Sequence, residues 1–236
     1  MGKDDQTENR AIEYARVNKK AVAKELTNPK KYPPDAEPVV VFMAGSPGAG
    51  KTEASLRLIE NLSPAGNGVL RIDSDELRIK IPGYSGTNSS LFQSATSIIA
   101  DKIQDCAIKQ HQSYIFDGWT LTNEVRAREN INRCLAHGYS VYILYVYQDP
   151  VQAWRFVKAR QSRDGRVIPK EVFIEQYFKA RECVNKLKIE FGSKIEIHLI
   201  VKNIDGSDFR YKSNKKSIDS HVSETYTRGT LIKMIT

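Results

Sequence analysis

A chain of 236 residues, 40% hydrophobic and 27% charged, has the makeup of a globular protein that can bury its own core. That excludes a wholly disordered chain, a collagen-like repeat and a disulfide scaffold. Its 36 basic against 28 acidic residues leave a formal net charge of +8, which invites a nucleic-acid reading.

The polar start, Met1-Gly2-Lys3-Asp4-Asp5-Gln6, lacks the apolar core of a signal peptide. No apolar run approaches the roughly 20 residues that span a bilayer, so no membrane is expected. Cys106, Cys134 and Cys183 are too widely spaced to suggest metal ligation, and they read as reduced core thiols of a cytoplasmic protein. Residues 8–27 show helical periodicity, and Asn28-Pro29 with Pro33-Pro34 then breaks it. We therefore expect a helical extension and stiff linker over 1–37, a main domain over 38–202, and a polar, basic tail over 203–236.

Within the main domain, residues 38–44 form a Val-rich run of the kind buried on both faces in a parallel sheet. A helix is expected over 51–61, a strand over 69–72 ending at Asp73, and a helix over 91–110. A strand over 114–116 closes on Asp117, a helix follows over 124–136, and residues 140–147 read as a strand. Helices over 150–161 and 169–191 each begin with Pro, and 195–201 is the last strand. This alternation implies an α/β fold with a mainly parallel sheet flanked by helices.

Gly45-Ser46-Pro47-Gly48-Ala49-Gly50-Lys51-Thr52 matches the phosphate-loop pattern in full. A strand precedes it and a helix follows, the context that the motif demands. Backbone N–H groups of 45–50 should wrap phosphate oxygens, Lys51 should reach the β/γ-phosphates, and Thr52 should ligate Mg²⁺. The implied fold is of the P-loop NTPase or kinase type, with ATP or GTP and Mg²⁺ as cofactors.

Carboxylates at the carboxyl ends of the strands should face this loop. Asp75 is the candidate base for a hydroxyl nucleophile, while Asp73 or Ser74 is also placed to cap a short helix. Asp117 sits where a Mg²⁺-associated carboxylate would lie, the favoured reading, with a solvated strand-end residue starting a turn at Gly118 as the alternative.

The charge surplus is local. Residues 151–190 carry ten basic and five acidic groups, whereas 38–150 with 191–201 is nearly neutral. A solvated helix face is the default for such a run. Arg163-Asp164-Gly165-Arg166 nevertheless reads as a turn between two helices, and arginines on such a connection can close over transferring phosphates. Few aromatics interleave these charges, which argues against nucleic acid.

The phosphate loop, Ile72-Asp73-Ser74-Asp75, the strand into Asp117-Gly118, and Arg160 with Arg166-Val167-Ile168-Pro169-Lys170 together resemble the zeta toxin family, over about 38–200. The resemblance implies a phosphate-loop kinase that phosphorylates a hydroxyl of UDP-N-acetylglucosamine and so blocks cell-wall precursor synthesis. It implies Lys51 and Thr52 at the ATP phosphates and Mg²⁺, Asp75 as base, and Arg160 and Arg166 as lid arginines. Asp73, Asp117 and Thr120 would lie near the substrate. Where the family has Glu-Gly-Thr, this chain has Asp117-Gly118-Trp119-Thr120, so either Trp119 replaces the Thr or Thr120 serves after an insertion. A small antitoxin protein is the partner that the resemblance suggests. The rival readings are a kinase for another small molecule or nucleotide sugar, and a nucleic-acid-dependent ATPase.

Overall fold

The structure is a computed structural model, and it describes residues 2–62, 68–118, 120–205 and 207–235. Six strands form one sheet in the order β2-β3-β1-β4-β5-β6. They are β1 (Val39–Ala44), β2 (Leu70–Asp73), β3 (Tyr114–Asp117), β4 (Ser140–Tyr147), β5 (Ile195–Lys202) and β6 (Asp208–Lys212). The first five run parallel, and β6 returns antiparallel to β5.

The central strand shows why a continuous apolar run suits this position. Val40, Phe42 and Ala44 join the larger core on one face, while Val41 and Met43 join a second core on the other. Burying each such side chain fully contributes about 1.5–3 kcal/mol, an upper figure because unfolded chains already bury some surface. The second face is covered by α2 (Lys51–Leu62), through Ala54, Leu58 and Ile59.

The chain runs from β1 outward to β2, back to β3, and then across β1 to β4. Ligands in open α/β sheets bind beyond the carboxyl ends of strands around such a reversal. There β1 runs into the glycine loop, and the paired register puts Asp73 directly opposite Asp117 at the ends of β2 and β3. The intervening helices are α3 (Ser74–Ile79), α4 (Gln93–Lys109), α5 (Glu124–Ala136), α6 (Pro150–Asp164) and α7 (Lys170–Phe191).

Both ends of the chain differ from expectation. Helix α1 (Lys3–Leu26) starts five residues early, because Asp4 and Asp5 suit the positive end of the helix dipole and Asp5 accepts the Gly2 N–H at 2.9 Å. It is no loose appendage: Ala11, Ala15 and Ala23 are buried in the main core, where small side chains let it lie close to α4. The Pro-rich segment is stitched down too. Gln112 Nε2 donates to Thr27 O at 2.9 Å and to Tyr32 O at 2.6 Å.

The segment expected as a polar tail supplies β6 and α8 (Arg228–Met234), and it buries Ile218 and Val222 in the main core. Arg181 of α7 holds it by donating to Asp219 at 2.5 Å, to Glu224 at 3.2 Å and to the Val222 carbonyl. Leu231 and Ile235 then pack against Trp154 of α6 and Phe173 of α7. Four apolar residues spaced among Ser, Lys and Asp leave almost no periodic signal in the sequence. Among the described residues, no helix is long and apolar enough to cross a membrane.

Candidate active site

The glycine loop folds back between β4 and α6. Gly48 has φ +73°, and a Cβ there would collide with the Ala153 carbonyl of α6. Gly50 has φ +86°, and a Cβ would lie 3.1 Å from Lys202 Cε at the end of β5. Only glycine meets both demands, positive φ and close approach. The Lys51 ammonium lies against its own loop, donating to Gly45 O at 2.9 Å and Ser46 O at 2.8 Å. Burial pushes its pKa down, partly opposed by Asp117 and reinforced by Arg166.

A cavity of about 730 Å³ opens over this loop. Its floor carries Lys51, Thr52, Asp73, Asp75 and Asp117, and its roof carries Arg160, Arg163 and Arg166 from α6 and the turn after it. The structure thus brings the phosphate loop, the strand-end carboxylates and the lid arginines to one cleft.

The carboxylates differ in what they touch. Asp73 caps α3, accepting the Asp75 N–H at 2.6 Å and the Glu76 N–H at 3.3 Å on Oδ1. Its Oδ2 pairs with Arg71 Nη2. Burial and the neighbouring Asp117 push its pKa up to about 6, against the pull of Arg71. Asp117 Oδ2 accepts from Ser55 Oγ at 3.1 Å and from Arg71 Nη2 at 3.0 Å. Asp75 instead faces the lid, where Arg160 Nη2 donates to its Oδ2 at 3.2 Å and Arg166 Nη1 donates to the same oxygen. Arg78 Nη1 holds its Oδ1 at 2.8 Å. Burial pushes this carboxyl up, but Arg166, Arg78, Arg160 and Lys51 together outweigh it and hold the pKa below the usual range.

Trp119 lies outside the described residues, as does the side chain of Thr120, so the two alternatives at Trp119 and Thr120 stand as they were. Their neighbours Leu121 and Thr122 line the cavity.

Four site residues escaped the sequence reading: Arg71, Arg78, Gln93 and Lys202. Arg71 could have been noticed as a charge inside a four-residue strand that is otherwise apolar up to Asp73. Its side chain is 8% exposed and bridges both strand-end carboxylates. Arg78 follows Asp75 by three residues, one helical turn on. Gln93 and Lys202 carried no signal, since only the fold delivers them to the cleft.

The residues present fit a bound nucleotide and Mg²⁺. The glycine loop packs too closely on β4 and α6 to carry side chains at Gly45 and Gly48, and Thr52 and Asp117 both line the cavity beside it. Among the described residues no group of three or more His, Cys, Asp or Glu side chains converges on one point. Mg²⁺ at a nucleotide is commonly held by one or two protein groups together with phosphates and water, a set that Thr52 and Asp117 could supply.

Comparison with known proteins places these features in context. The zeta toxin family model matches residues 23–216, from within α1 to beyond β6. Among solved structures, the chain resembles a protein of the PezAT chromosomal toxin–antitoxin system of Streptococcus pneumoniae, with TM-score 0.65 and 16% identity over 94% of this chain and 87% of that one. It also resembles the AvrRxo1-ORF1:AvrRxo1-ORF2 complex with sulphate ions, with TM-score 0.58 and 16% identity over 88% of this chain and 69% of that one. The same complex with ATP gives TM-score 0.57 and 17% identity, over 86% and 65%. At these identities the likeness to solved structures is one of fold. No curated protein matches the chain.

Proposed function

Because the chain belongs to the zeta toxin family of kinases, we propose that it transfers the γ-phosphoryl group of ATP or GTP to a sugar hydroxyl of UDP-N-acetylglucosamine. In this reading it is a toxin that starves cell-wall synthesis of a precursor. The supporting observation is the position of Asp75, held between the phosphate loop and two arginines of the opposite wall.

The chemistry follows from the side chains. N–H groups of the glycine loop and Lys51 bind the β- and γ-phosphates, which replace the Gly45 and Ser46 carbonyls as partners of the ammonium. Thr52 and Asp117 would hold Mg²⁺, which when bound neutralises charge on the phosphate oxygens. Arg160 and Arg166 move from Asp75 to the transferring group and stabilise its developing charge. Asp75 then accepts the hydroxyl hydrogen of the acceptor and aims its oxygen in line. A carboxylate with a low pKa is a weak base, but a loose transition state asks for positioning more than for proton abstraction.

Purified protein, labelled ATP, Mg²⁺ and a panel of UDP-sugars test the assignment. Phosphorylated UDP-N-acetylglucosamine is the expected product; labelling of nucleosides or polynucleotides alone sinks the acceptor assignment. Asp75→Asn is expected to abolish transfer and to leave ATP binding within about twofold, and retained transfer removes Asp75 from the base role.

The PezAT neighbour belongs to a toxin–antitoxin system. We extend this to a small antitoxin protein as partner, to be sought by co-purification with the products of adjacent genes. Recovery of the chain alone after co-expression with them counts against it.

A further inference from the structure

Arg78 is 2% exposed, and none of the roles above uses it. It projects from α3, one turn beyond Asp75, with its guanidinium fixed at two points. Nη1 donates to Asp75 Oδ1 at 2.8 Å, and Nη2 donates to Gln93 Oε1 at 2.8 Å, at the start of α4. Its Nε is buried without a hydrogen-bond partner, so the side chain sits where it does at some cost.

The other cations that face Asp75 are Lys51 from α2, Arg160 from α6 and Arg166 from the turn after α6. Asp73, on the preceding strand, is the nearby anion. Arg160, half-exposed, and Arg166, largely buried, belong to the wall formed by α6 and the turn after it, and Lys51 belongs to the loop. All three have a second destination in the phosphates of a donor nucleotide. Arg78 has none, because Gln93 and the surrounding core hold it in place. Once a donor draws the lid arginines away, Arg78 is the contact that stays on the carboxylate.

We propose that Arg78 is the positioning residue of the reaction: it pins Oδ1 of Asp75 through every stage and leaves Oδ2 for the acceptor hydroxyl. Gln93 is the anchor that keeps the guanidinium from following the lid. The inference rests on Asp75 being the base, and it adds a division of labour between its two oxygens. A fork that makes two directed hydrogen bonds does this, and a lysine ammonium does not reproduce it.

The experiment compares wild type with Arg78→Met, Arg78→Lys and Gln93→Leu, using ATP, Mg²⁺ and UDP-N-acetylglucosamine. It also follows the Asp75 carboxyl carbon by NMR titration with a non-hydrolysable ATP analogue bound, a readout independent of the acceptor. In Arg78→Met, kcat should fall roughly 10- to 100-fold, part of what a positioned general base supplies, with KM for ATP unchanged. The Asp75 carboxyl should titrate higher, because one of the cations that hold it down is gone, moving any acid limb of the rate profile the same way. Arg78→Lys should restore the titration but not kcat. Gln93→Leu, which keeps the charge, should lower kcat several-fold.

Three results overturn the proposal. They are an Asp75 titration unmoved in Arg78→Met, a kcat in Gln93→Leu equal to wild type, or a raised KM for UDP-N-acetylglucosamine at constant kcat. The last would make Arg78 an acceptor contact. If Arg78→Met fails to fold, the Gln93→Leu kinetics and the Arg78→Lys titration decide. Activity in Asp75→Asn removes the base reading beneath the proposal, whereas an inactive Asp75→Asn beside a wild-type-like Arg78→Met removes the proposal alone.

Discussion

Asp75 and Arg166 stand 91 residues apart in the chain, yet the Arg166 guanidinium donates directly to Oδ2 of Asp75. One belongs to the helix after β2 and the other to the turn between α6 and α7. Their contact joins the two walls of the cleft beside the glycine loop, and in the proposed mechanism the carboxylate holds the arginine that a phosphate would claim. Several consequences can be measured.

Replacing the lid arginines should separate them by burial. The Arg166 side chain is 25% exposed and the Arg160 side chain 45%. A better-desolvated cation stabilises developing charge more strongly. We expect Arg166→Ala to lower kcat by roughly 10²- to 10³-fold, and Arg160→Ala by less. Equal losses in steady-state kinetics count against this ranking.

Lys51→Met should cost binding and not folding. Burial already disfavours the ammonium, so its removal is expected to leave the melting temperature unchanged or slightly raised. ATP affinity by calorimetry should fall by at least about 100-fold, the effect of a lost charge-assisted contact in an enclosed site. A variant that binds ATP normally contradicts the role of the loop.

Gly48→Ala tests the fit between the loop and α6. The left-handed backbone alone costs an alanine about 1–2 kcal/mol. The collision with the Ala153 carbonyl adds to that, since backbone cannot swing aside. Chemical denaturation should show a loss of more than ~2 kcal/mol, together with weaker nucleotide binding. Wild-type stability would mean that the loop has room it does not show.

Asp73 predicts a specific pH dependence. Its folded pKa of about 6 lies above the ordinary value of 3.8, so the folded state binds the proton more tightly than the unfolded one. Stability from this group is therefore greatest below the ordinary value and declines as pH rises through 6. The stability difference between wild type and Asp73→Asn should fall from pH 4 to pH 7. A difference that stays flat, or rises, refutes the assigned shift.

The C-terminal strap can be cut at one residue. Arg181 is 6% exposed and holds Asp219, Glu224 and the Val222 carbonyl, while Tyr226 donates to Asp149, the cap of α6, at 2.5 Å. Arg181→Met strands these partners, and thermal unfolding should report a loss of about 1–3 kcal/mol. Hydrogen exchange should rise in residues 217–235 and in α6. Exchange confined to the strap would show that it does not brace the lid helices.

Much of this was legible in one dimension because local chemistry left little choice. Six consecutive apolar residues before Gly45 suit a strand covered on both faces, and the alternation of strands and helices along the chain then makes the sheet mainly parallel. Gly-x-x-x-x-Gly-Lys-Thr is a local backbone device, so the phosphate loop is written in adjacent residues. Strand ends at Asp73 and Asp117 mark the cleft because parallel strands bring their carboxyl ends to one edge. The two ends of the chain were harder. The N-terminal helix shows an apolar face but not what covers it, and a strap with four buried apolar residues reads as a polar tail, because their partners lie far away in sequence.

The surplus of +8 shows where sequence stops and tertiary structure takes over. The sequence by itself determined that the charge gathers in residues 151–190 and that a phosphate-binding loop lies elsewhere. It also set the family, through motifs whose residues lie close together. Which cations meet which carboxylates was decided only by packing. Arg71 joins Asp73 to Asp117, Arg78, anchored on Gln93, grips one oxygen of Asp75, and Arg160 and Arg166 share the other. The reason is physical: backbone preference acts over a few residues, whereas a charge chooses its partner by distance and burial, which exist only once the sheet has closed.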